Sequence, residues 1–154
     1  MRIEVSVPEQ TLRLYDGKAL VREYPCSTSK YGLGSIPESN FTPLGKFRIC
    51  KLIGHDAEPG TIFKSREVAG VWDGGPALED YVLTRILWLD GLEEHNTNTR
   101  DRYIYIHGTN QEQLIGTPAS HGCVRLTNKD VIDLFNRVEE GTEVEIREAP
   151  GTGL

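Results

Sequence analysis

Apolar and polar residues alternate along much of this chain, which is the pattern of strands that bury one face. Near the N-terminus, Ile3, Val5 and Val7 alternate with polar residues and predict a half-buried strand. The Asp16-Gly17 pair separates two extended runs and favours a tight hairpin. Further segments with strand character are residues 19–24, 46–52, 81–89, 103–107 and 142–146. The chain is therefore predicted to be mainly β.

One segment has helical spacing instead. Thr127 and Asp130 form a pattern similar to a capping box, which marks a helix start. Apolar residues follow three or four positions apart, at Val131, Leu134, Phe135 and Val138. Gly141 stands where a helix-terminating residue is expected. The sequence thus predicts a single firm helix that ends shortly before Gly141.

Two stretches show neither the alternation of a strand nor the spacing of a helix. Residues 54–75 are irregular and rich in glycine, and residues 91–102 are polar. Both are predicted to be loops, and the first has a substrate-facing lid as an alternative. Neither a repeat nor a linker divides the chain. We therefore expect one domain over residues 2–148, followed by a frayed tail at 149–154.

Composition narrows the class of protein. The chain has 154 residues, of which 38% are hydrophobic and 26% charged, as in an ordinary globular domain. Its net charge of -6 argues against nucleic acid or an anionic membrane as partner, and no apolar run reaches membrane-spanning length. The N-terminus lacks the apolar region of a signal peptide. The chain as written is expected in the cytoplasm, or in the periplasm or cell wall if an export signal was removed.

The chemically informative motif is SHGCVRL at residues 120–126, with His107 upstream at the end of a predicted strand. A cysteine attacks as its thiolate, and a nearby imidazole can take the thiol proton. Gly122 lets the backbone approach a substrate carbonyl and direct N–H groups at the developing oxyanion. These residues predict an acyl-transfer enzyme with Cys123 as nucleophile.

Other roles for the same residue types remain open. Cys26 and Cys50 lie in strand-like contexts and are expected to be buried, inert thiols, with a disulfide between them as the alternative. A zinc site is the chemical alternative to catalysis, because ligand types suited to zinc are present. Those ligands would be His107, His121, Cys123 and His95.

The chain resembles the L,D-transpeptidase catalytic (YkuD) family. The resemblance rests on HGT at residues 107–109 and SHGCVRL at 120–126. It continues through residues 10–15, 25–28, 42–47, 126–130 and 141–144. The resemblance implies a β-sandwich with a helix packed at its side, which agrees with the predicted elements.

The resemblance also implies an activity. A cysteine thiolate would attack the meso-diaminopimelate carbonyl of a peptidoglycan stem tetrapeptide and expel D-alanine. The amine of a second stem would then resolve the thioester into a 3→3 cross-link, whereas water would make the enzyme an L,D-carboxypeptidase. It implies no cofactor and no metal, stem peptides or muropeptides as partners, and carbapenem β-lactams as inhibitors. A catalytically silent wall-binding module is the alternative of another class.

The resemblance also implies roles for the residues of this chain that match the family motif. The resemblance makes Cys123 the nucleophile and His107 its general base and later acid. The Gly108 carbonyl would orient the imidazole. Backbone N–H groups of Gly122 and Cys123, together with His121, would form the oxyanion hole.

Three further residues are candidate substrate contacts, each with a structural alternative. Arg125 would pair with a substrate carboxylate or form a structural salt bridge. Ser120 would contact substrate or shape the loop. Tyr105 would contact substrate or pack within the sheet.

Overall fold

A computed structural model describes residues 1–150, and residues 151–154 of the predicted tail lie outside the described residues. The described part contains ten strands, one α-helix and two 3-10 helices. The strands are β1 (Arg2–Ser6), β2 (Thr11–Asp16), β3 (Ala19–Pro25), β4 (Gly45–Ile53), β5 (Thr61–Lys64), β6 (Glu67–Val71), β7 (Val82–Gly91), β8 (Tyr105–Gly108), β9 (Val124–Leu126) and β10 (Glu143–Arg147). The helix α1 is Asn128–Phe135, and the 3-10 helices are Glu94–Asn96 and Glu112–Leu114. The predicted mainly β class with one firm helix is confirmed.

All ten strands belong to one connected, open sheet. Its order runs β3-β2-β1-β10-β4-β7, after which β7 pairs with both β5 and β8. β9 lies parallel to β8 at the end of the second branch. Ser27, just beyond β3, bridges Arg125 in β9 through two backbone hydrogen bonds of 2.9 Å. This bridge connects the end of β3 with β9, beside the loop that carries Cys123.

The main core lies between the sheet and the helix α1. Apolar side chains from strands β1–β4, strands β7–β10 and α1 form one buried cluster, with Val5, Leu14, Phe47, Leu87 and Ile106 fully buried. Among residues 1–150, no helix has the length and apolar character needed to cross a bilayer. The cluster gives β8 and β9 a rigid base, which positions the loops that follow or precede them.

Two local predictions are confirmed in detail. Asp16 pairs with Ala19, so a two-residue turn closes the β2–β3 hairpin, and Gly17 in that turn has φ +59°. The Thr127 side chain accepts a hydrogen bond of 3.2 Å from the Asp130 N–H at the start of α1. Both features depend on residues that are adjacent in sequence.

β1 is buried on both faces rather than on one. Glu4 and Ser6, expected to face solvent, are 1% and 0% exposed. β1 lies inside the sheet between β2 and β10, and the Ser6 hydroxyl donates to the Ala149 carbonyl at 3.0 Å. The C-terminal segment therefore covers part of the polar face of β1, which the alternation of residues predicted to be exposed.

The prediction that residues 54–75 lack regular structure is wrong. They contain the hairpin β5–β6, and β5 pairs with β7 through Ile62 and Phe63. β5 has four residues, too few for a clear alternation, and its pairing partner lies about twenty positions further along the chain. Contacts distant in sequence thus stabilise a hairpin that its own sequence does not indicate.

The helix is shorter than predicted, because it ends at Phe135 with Asn136 as the C-terminal cap. Gly141 lies in the turn before β10, where its N–H donates to the Ile49 carbonyl in β4 at 2.8 Å. This contact holds the segment after the helix against the sheet. Val138 still packs against the core, but from outside the helix.

Candidate active site

His107 lies in β8, and Cys123 lies just before the neighbouring strand β9. The parallel register pairs His107 with Arg125, and Cys123 immediately precedes β9. Both side chains face one open cleft. The residues that line this cleft are Leu78, Glu79, Asp80, Val82, His107, Ser120, His121 and Cys123. The structure therefore brings together two residues that are 16 positions apart in sequence.

His107 is buried and oriented by the backbone. Its Nδ1 lies 2.5 Å from the Gly108 carbonyl oxygen, the contact that the resemblance implies. A carbonyl only accepts, so Nδ1 carries the proton and Nε2 is left as the basic nitrogen. Burial lowers the pKa of His107, partly opposed by the Gly108 contact. The imidazole is therefore neutral near pH 7, as a general base must be.

Gly108 has little room for a side chain. A Cβ at this position would lie 2.8 Å from the Leu83 carbonyl oxygen and would also collide with the Asn128 side-chain oxygen. Because that space is occupied by atoms of β7 and α1, a larger residue would displace the carbonyl that holds His107. This close approach explains why glycine follows the histidine.

The Cys123 sulfur lies between two backbone groups. The Tyr105 N–H donates to Sγ at 3.3 Å, and the thiol donates to the Tyr103 carbonyl at 3.5 Å. Burial raises the pKa of Cys123 to about 11, against the smaller lowering effect of the Tyr105 N–H. Desolvation of the thiolate therefore outweighs the stabilisation that one N–H donor provides.

The other cysteines are less suited to attack. All three thiols are free, so the alternative of a Cys26–Cys50 disulfide is wrong. Cys26 is fully buried, and burial raises its pKa to about 12. Cys50 is partly exposed in β4 rather than buried, and burial again raises its pKa. Neither of them lines the cleft that contains His107.

A neutral resting thiol has a measurable consequence. We expect alkylation of Cys123 by iodoacetamide to accelerate about tenfold per pH unit between about pH 7 and pH 10. The thiolate fraction rises in this way as pH approaches a raised pKa of about 11 from below. Mass spectrometry of digested protein would follow Cys123 separately from Cys26 and Cys50. A rate that stays constant from about pH 7 to pH 9 would instead reveal a preformed thiolate.

The loop before Cys123 is held by its own hydrogen bonds. Gly122 has φ +121°, and a Cβ there would lie 3.3 Å from the Phe41 carbonyl oxygen. Ser120 Oγ donates to the Cys123 carbonyl at 2.7 Å and accepts from the Gly122 N–H at 3.2 Å. Thr42 Oγ1 donates to the Gly122 carbonyl at 2.9 Å. These contacts give Ser120 a loop-shaping position.

The Gly122 N–H, which we expected to point at an oxyanion, is thus engaged by Ser120. By contrast, the N–H groups of His121 and Cys123 have no protein acceptor within residues 1–150. The His121 side chain is exposed, with Nδ1 3.7 Å from Asp80 Oδ2. The donors left available at this loop are therefore those of His121 and Cys123.

Arg125 occupies a structural position instead of facing the cleft. Its side chain is 0% exposed, and Nη1 lies 2.9 Å from Asp80 Oδ1. The same guanidinium donates to Gln111 Oε1 at 2.7 Å and to Ser27 Oγ at 3.2 Å. Of the two roles considered from sequence, the structure contains the salt bridge.

Asp80 is the site residue that the sequence did not reveal. Its carboxylate contacts Arg125 and His121 and accepts from Thr109 Oγ1 at 3.3 Å. It lies in an irregular segment before β7, with no motif around it. Only the fold shows that this carboxylate compensates a buried guanidinium beneath the cleft.

Loss of this carboxylate should destabilise the protein. We expect Asp80→Ala to lower the free energy of unfolding by about 3–5 kcal/mol, the usual cost of removing one partner of a buried ion pair. The matched control is Glu79→Ala, which removes the neighbouring exposed carboxylate and should change stability by less than about 0.5 kcal/mol. Urea-induced unfolding measures both. Equal stability of the two variants would contradict a supporting role for Asp80.

Tyr105 packs inside the sheet with its polar end covered. The residue is 7% exposed, and its ring lies edge-on to Trp88 with centroids 5.9 Å apart. The prediction that Tyr103 begins this strand is wrong, because Tyr103 has φ +56° in a turn closed by its N–H to the Arg100 carbonyl. The two tyrosines therefore do not share one strand face.

The residues proposed for a zinc site are only partly close together. His95 lies away from the cleft lining, with Nε2 3.0 Å from the Leu44 carbonyl. Within residues 1–150, the structure places no group of three or more His, Cys, Asp or Glu side chains as a metal site.

Comparison with known proteins identifies the family. The chain belongs to the L,D-transpeptidase catalytic domain (YkuD) family, whose model matches residues 1–146. It is 31% identical over 145 residues to a putative L,D-transpeptidase YkuD of Bacillus licheniformis, covering 94% of this chain. It is 30% identical over 144 residues to the Bacillus subtilis protein of the same name, again covering 94%. In both cases the match spans 64% of the relative's length.

Solved structures show the same fold. The L,D-transpeptidase of Enterococcus faecium superposes with a TM-score of 0.62 at 20% identity, covering 95% of this chain and 49% of that one. L,D-transpeptidase 3 of Mycobacterium tuberculosis, solved with a faropenem-derived adduct, gives a TM-score of 0.60 at 18% identity, covering 95% and 59%. The resemblance stated from the sequence motifs is thus confirmed for family and fold.

Proposed function

We propose that this protein is a cysteine-dependent peptidoglycan L,D-transpeptidase that forms a thioester with a stem tetrapeptide. The observation that carries the proposal is the position of Cys123 and His107 in one cleft, with His107 Nδ1 directed at the Gly108 carbonyl. This arrangement leaves a neutral imidazole nitrogen available in the same cleft as the Cys123 thiol. Family membership supplies the class of reaction.

Acylation begins from neutral partners. The Cys123 thiol attacks the diaminopimelate carbonyl while its proton passes to His107 Nε2, because neither group is ionised at rest. The tetrahedral oxyanion accepts hydrogen bonds from the backbone N–H groups of His121 and Cys123. The carbon–nitrogen bond then breaks, His107 returns its proton to the leaving amine, and D-alanine departs from the thioester.

Deacylation reverses the proton transfer. The side-chain amine of a second stem attacks the thioester carbonyl and loses its proton to His107. The carbon–sulfur bond breaks, the thiol regains its proton, and a 3→3 amide cross-link is formed. Water in place of the amine gives a tripeptide, which is the L,D-carboxypeptidase reaction.

Mass spectrometry of products formed from disaccharide-tetrapeptide tests the proposal. We expect a cross-linked dimer together with one D-alanine released per bond formed. Tripeptide without dimer would replace transpeptidation by carboxypeptidase activity. Unchanged substrate, together with failure of a carbapenem to acylate the protein, would overturn both and favour a silent wall-binding module.

A further inference from the structure

An arginine, Arg66, lies on the turn of the β5–β6 hairpin. Arg66 Nη1 donates to the Tyr105 hydroxyl at 3.1 Å. Its guanidinium carbon lies 4.7 Å from the Tyr103 ring centroid and 5.0 Å from that of Trp88. These three contacts hold a partly exposed cation in one orientation.

The turn that presents Arg66 has an unusual backbone. Lys64 pairs with Glu67, so Ser65 and Arg66 form a two-residue turn with φ +49° and +67°. Turns of this kind favour glycine and asparagine, because other side chains are crowded at positive φ. The chain nevertheless has an arginine here, and its side chain contacts the two tyrosines and Trp88.

The same two tyrosines also contact the candidate nucleophile. The Tyr105 N–H and the Tyr103 carbonyl lie 3.3 Å and 3.5 Å from Cys123 Sγ. Arg66 is therefore separated from the sulfur by a single residue, Tyr105. One residue of an extended peptide spans about 3.5 Å, so the groups of a bound peptide that meet Arg66 lie beyond the carbonyl attacked by Sγ rather than at it.

Most hydrogen-bond donors of Arg66 remain available. A guanidinium has five N–H groups, and within residues 1–150 the bond to Tyr105 is the one hydrogen bond of this side chain. Arg66 also forms no ion pair there, whereas the buried Arg125 is neutralised by Asp80. A fixed, unpaired guanidinium fits a carboxylate, which it can bind through two parallel hydrogen bonds.

We infer that Arg66 binds a carboxylate of the donor peptide and determines specificity for it. This inference rests on the proposed function, and it assigns to the hairpin a role in substrate recognition. A stem tetrapeptide offers this group twice, as the terminal carboxylate of the leaving D-alanine and as the side-chain carboxylate of diaminopimelate. The exposed ring of Tyr103 forms one wall of the binding position.

Kinetics of charge-neutral variants test the inference. Arg66→Gln should raise KM for the tetrapeptide about 10- to 100-fold, since a charge-assisted hydrogen bond is lost, and should leave kcat nearly unchanged. Arg66→Lys retains the charge but not the paired donors, so its KM should lie between those of the wild-type enzyme and Arg66→Gln. The matched control is Lys64→Gln, which removes a positive charge from the same hairpin. An unchanged KM for Arg66→Gln would overturn the inference.

Two amidated substrates identify the carboxylate. One tetrapeptide ends in D-alaninamide, and the other has a side-chain carboxamide on diaminopimelate. The analogue that lacks the relevant carboxylate should bind wild-type enzyme poorly and show no further loss with Arg66→Gln, because the interaction is already absent. If Arg66→Gln weakens the binding of both analogues as much as that of the parent tetrapeptide, Arg66 recognises neither carboxylate and the inference fails.

A measurement that needs no stem peptide tests this inference independently of the proposed function. Iodoacetate and iodoacetamide alkylate the same Cys123 thiol but differ in the carboxylate. At low ionic strength, the iodoacetate-to-iodoacetamide rate ratio should fall about twofold or more in Arg66→Gln and stay constant in Lys64→Gln. If wild-type protein processes no stem peptide, the proposed function fails, and this ratio alone decides whether Arg66 attracts a carboxylate. An unchanged ratio would then overturn the inference.

Discussion

Cys123→Ala is expected to abolish turnover of stem tetrapeptide, with a loss of roughly 10⁴-fold or more. The variant lacks the atom that forms the thioester, and the remaining cysteines lie outside the cleft. It should also form no covalent adduct with a carbapenem, whose strained amide resembles the scissile carbonyl. Product analysis and intact-protein mass spectrometry measure the two effects independently.

Cys50→Ala is the matched control, because Cys50 is a partly exposed free thiol in β4. It should retain both turnover and acylation. A carbapenem adduct that maps to Cys26 or Cys50 in the wild-type protein would contradict the assignment of Cys123 as nucleophile.

His107→Ala should reduce acylation by roughly 10²–10⁴-fold, the usual contribution of a positioned general base. The effect follows from the neutral resting thiol, whose pKa is raised to about 11, so that few molecules carry a thiolate near pH 7. Part of the lost rate should return as pH increases, because the thiol then ionises without a base. Stopped-flow acylation by a carbapenem across a range of pH measures both quantities.

Thermal unfolding must accompany this measurement, since His107 is buried at 3% exposure and its removal leaves a cavity. A folded His107→Ala protein that acylates at the wild-type rate near pH 7 would exclude His107 as the base. The next candidate would be His121, which lines the same cleft and lies 3.7 Å from Asp80.

Features set by neighbours in sequence were predictable. The Thr127 cap and the Asp16-Gly17 hairpin depend on the conformational preferences of a few adjacent residues, and both are present. The family also follows from a short motif, because residues 120–126 combine a glycine, a histidine and a cysteine that few other contexts require. Local chemistry was sufficient for these conclusions.

Pairing between distant segments was not predictable in the same way. The β5–β6 hairpin is stabilised by β7, and its short strands have no clear alternation of their own. Gly141, predicted to terminate the helix, instead donates to the Ile49 carbonyl in β4. In each case, the partner that determines the structure lies outside the segment whose pattern was read.

The amino-acid sequence by itself determined the family, the mainly β class and the identity of the candidate pair, Cys123 and His107. Only the tertiary structure decided the electrostatic state of that pair, because burial raises the pKa of the thiol and lowers that of the imidazole. It also decided that Arg125 is neutralised by Asp80. Desolvation and charge pairing depend on atoms brought close by folding, and residues far apart in sequence supply those atoms.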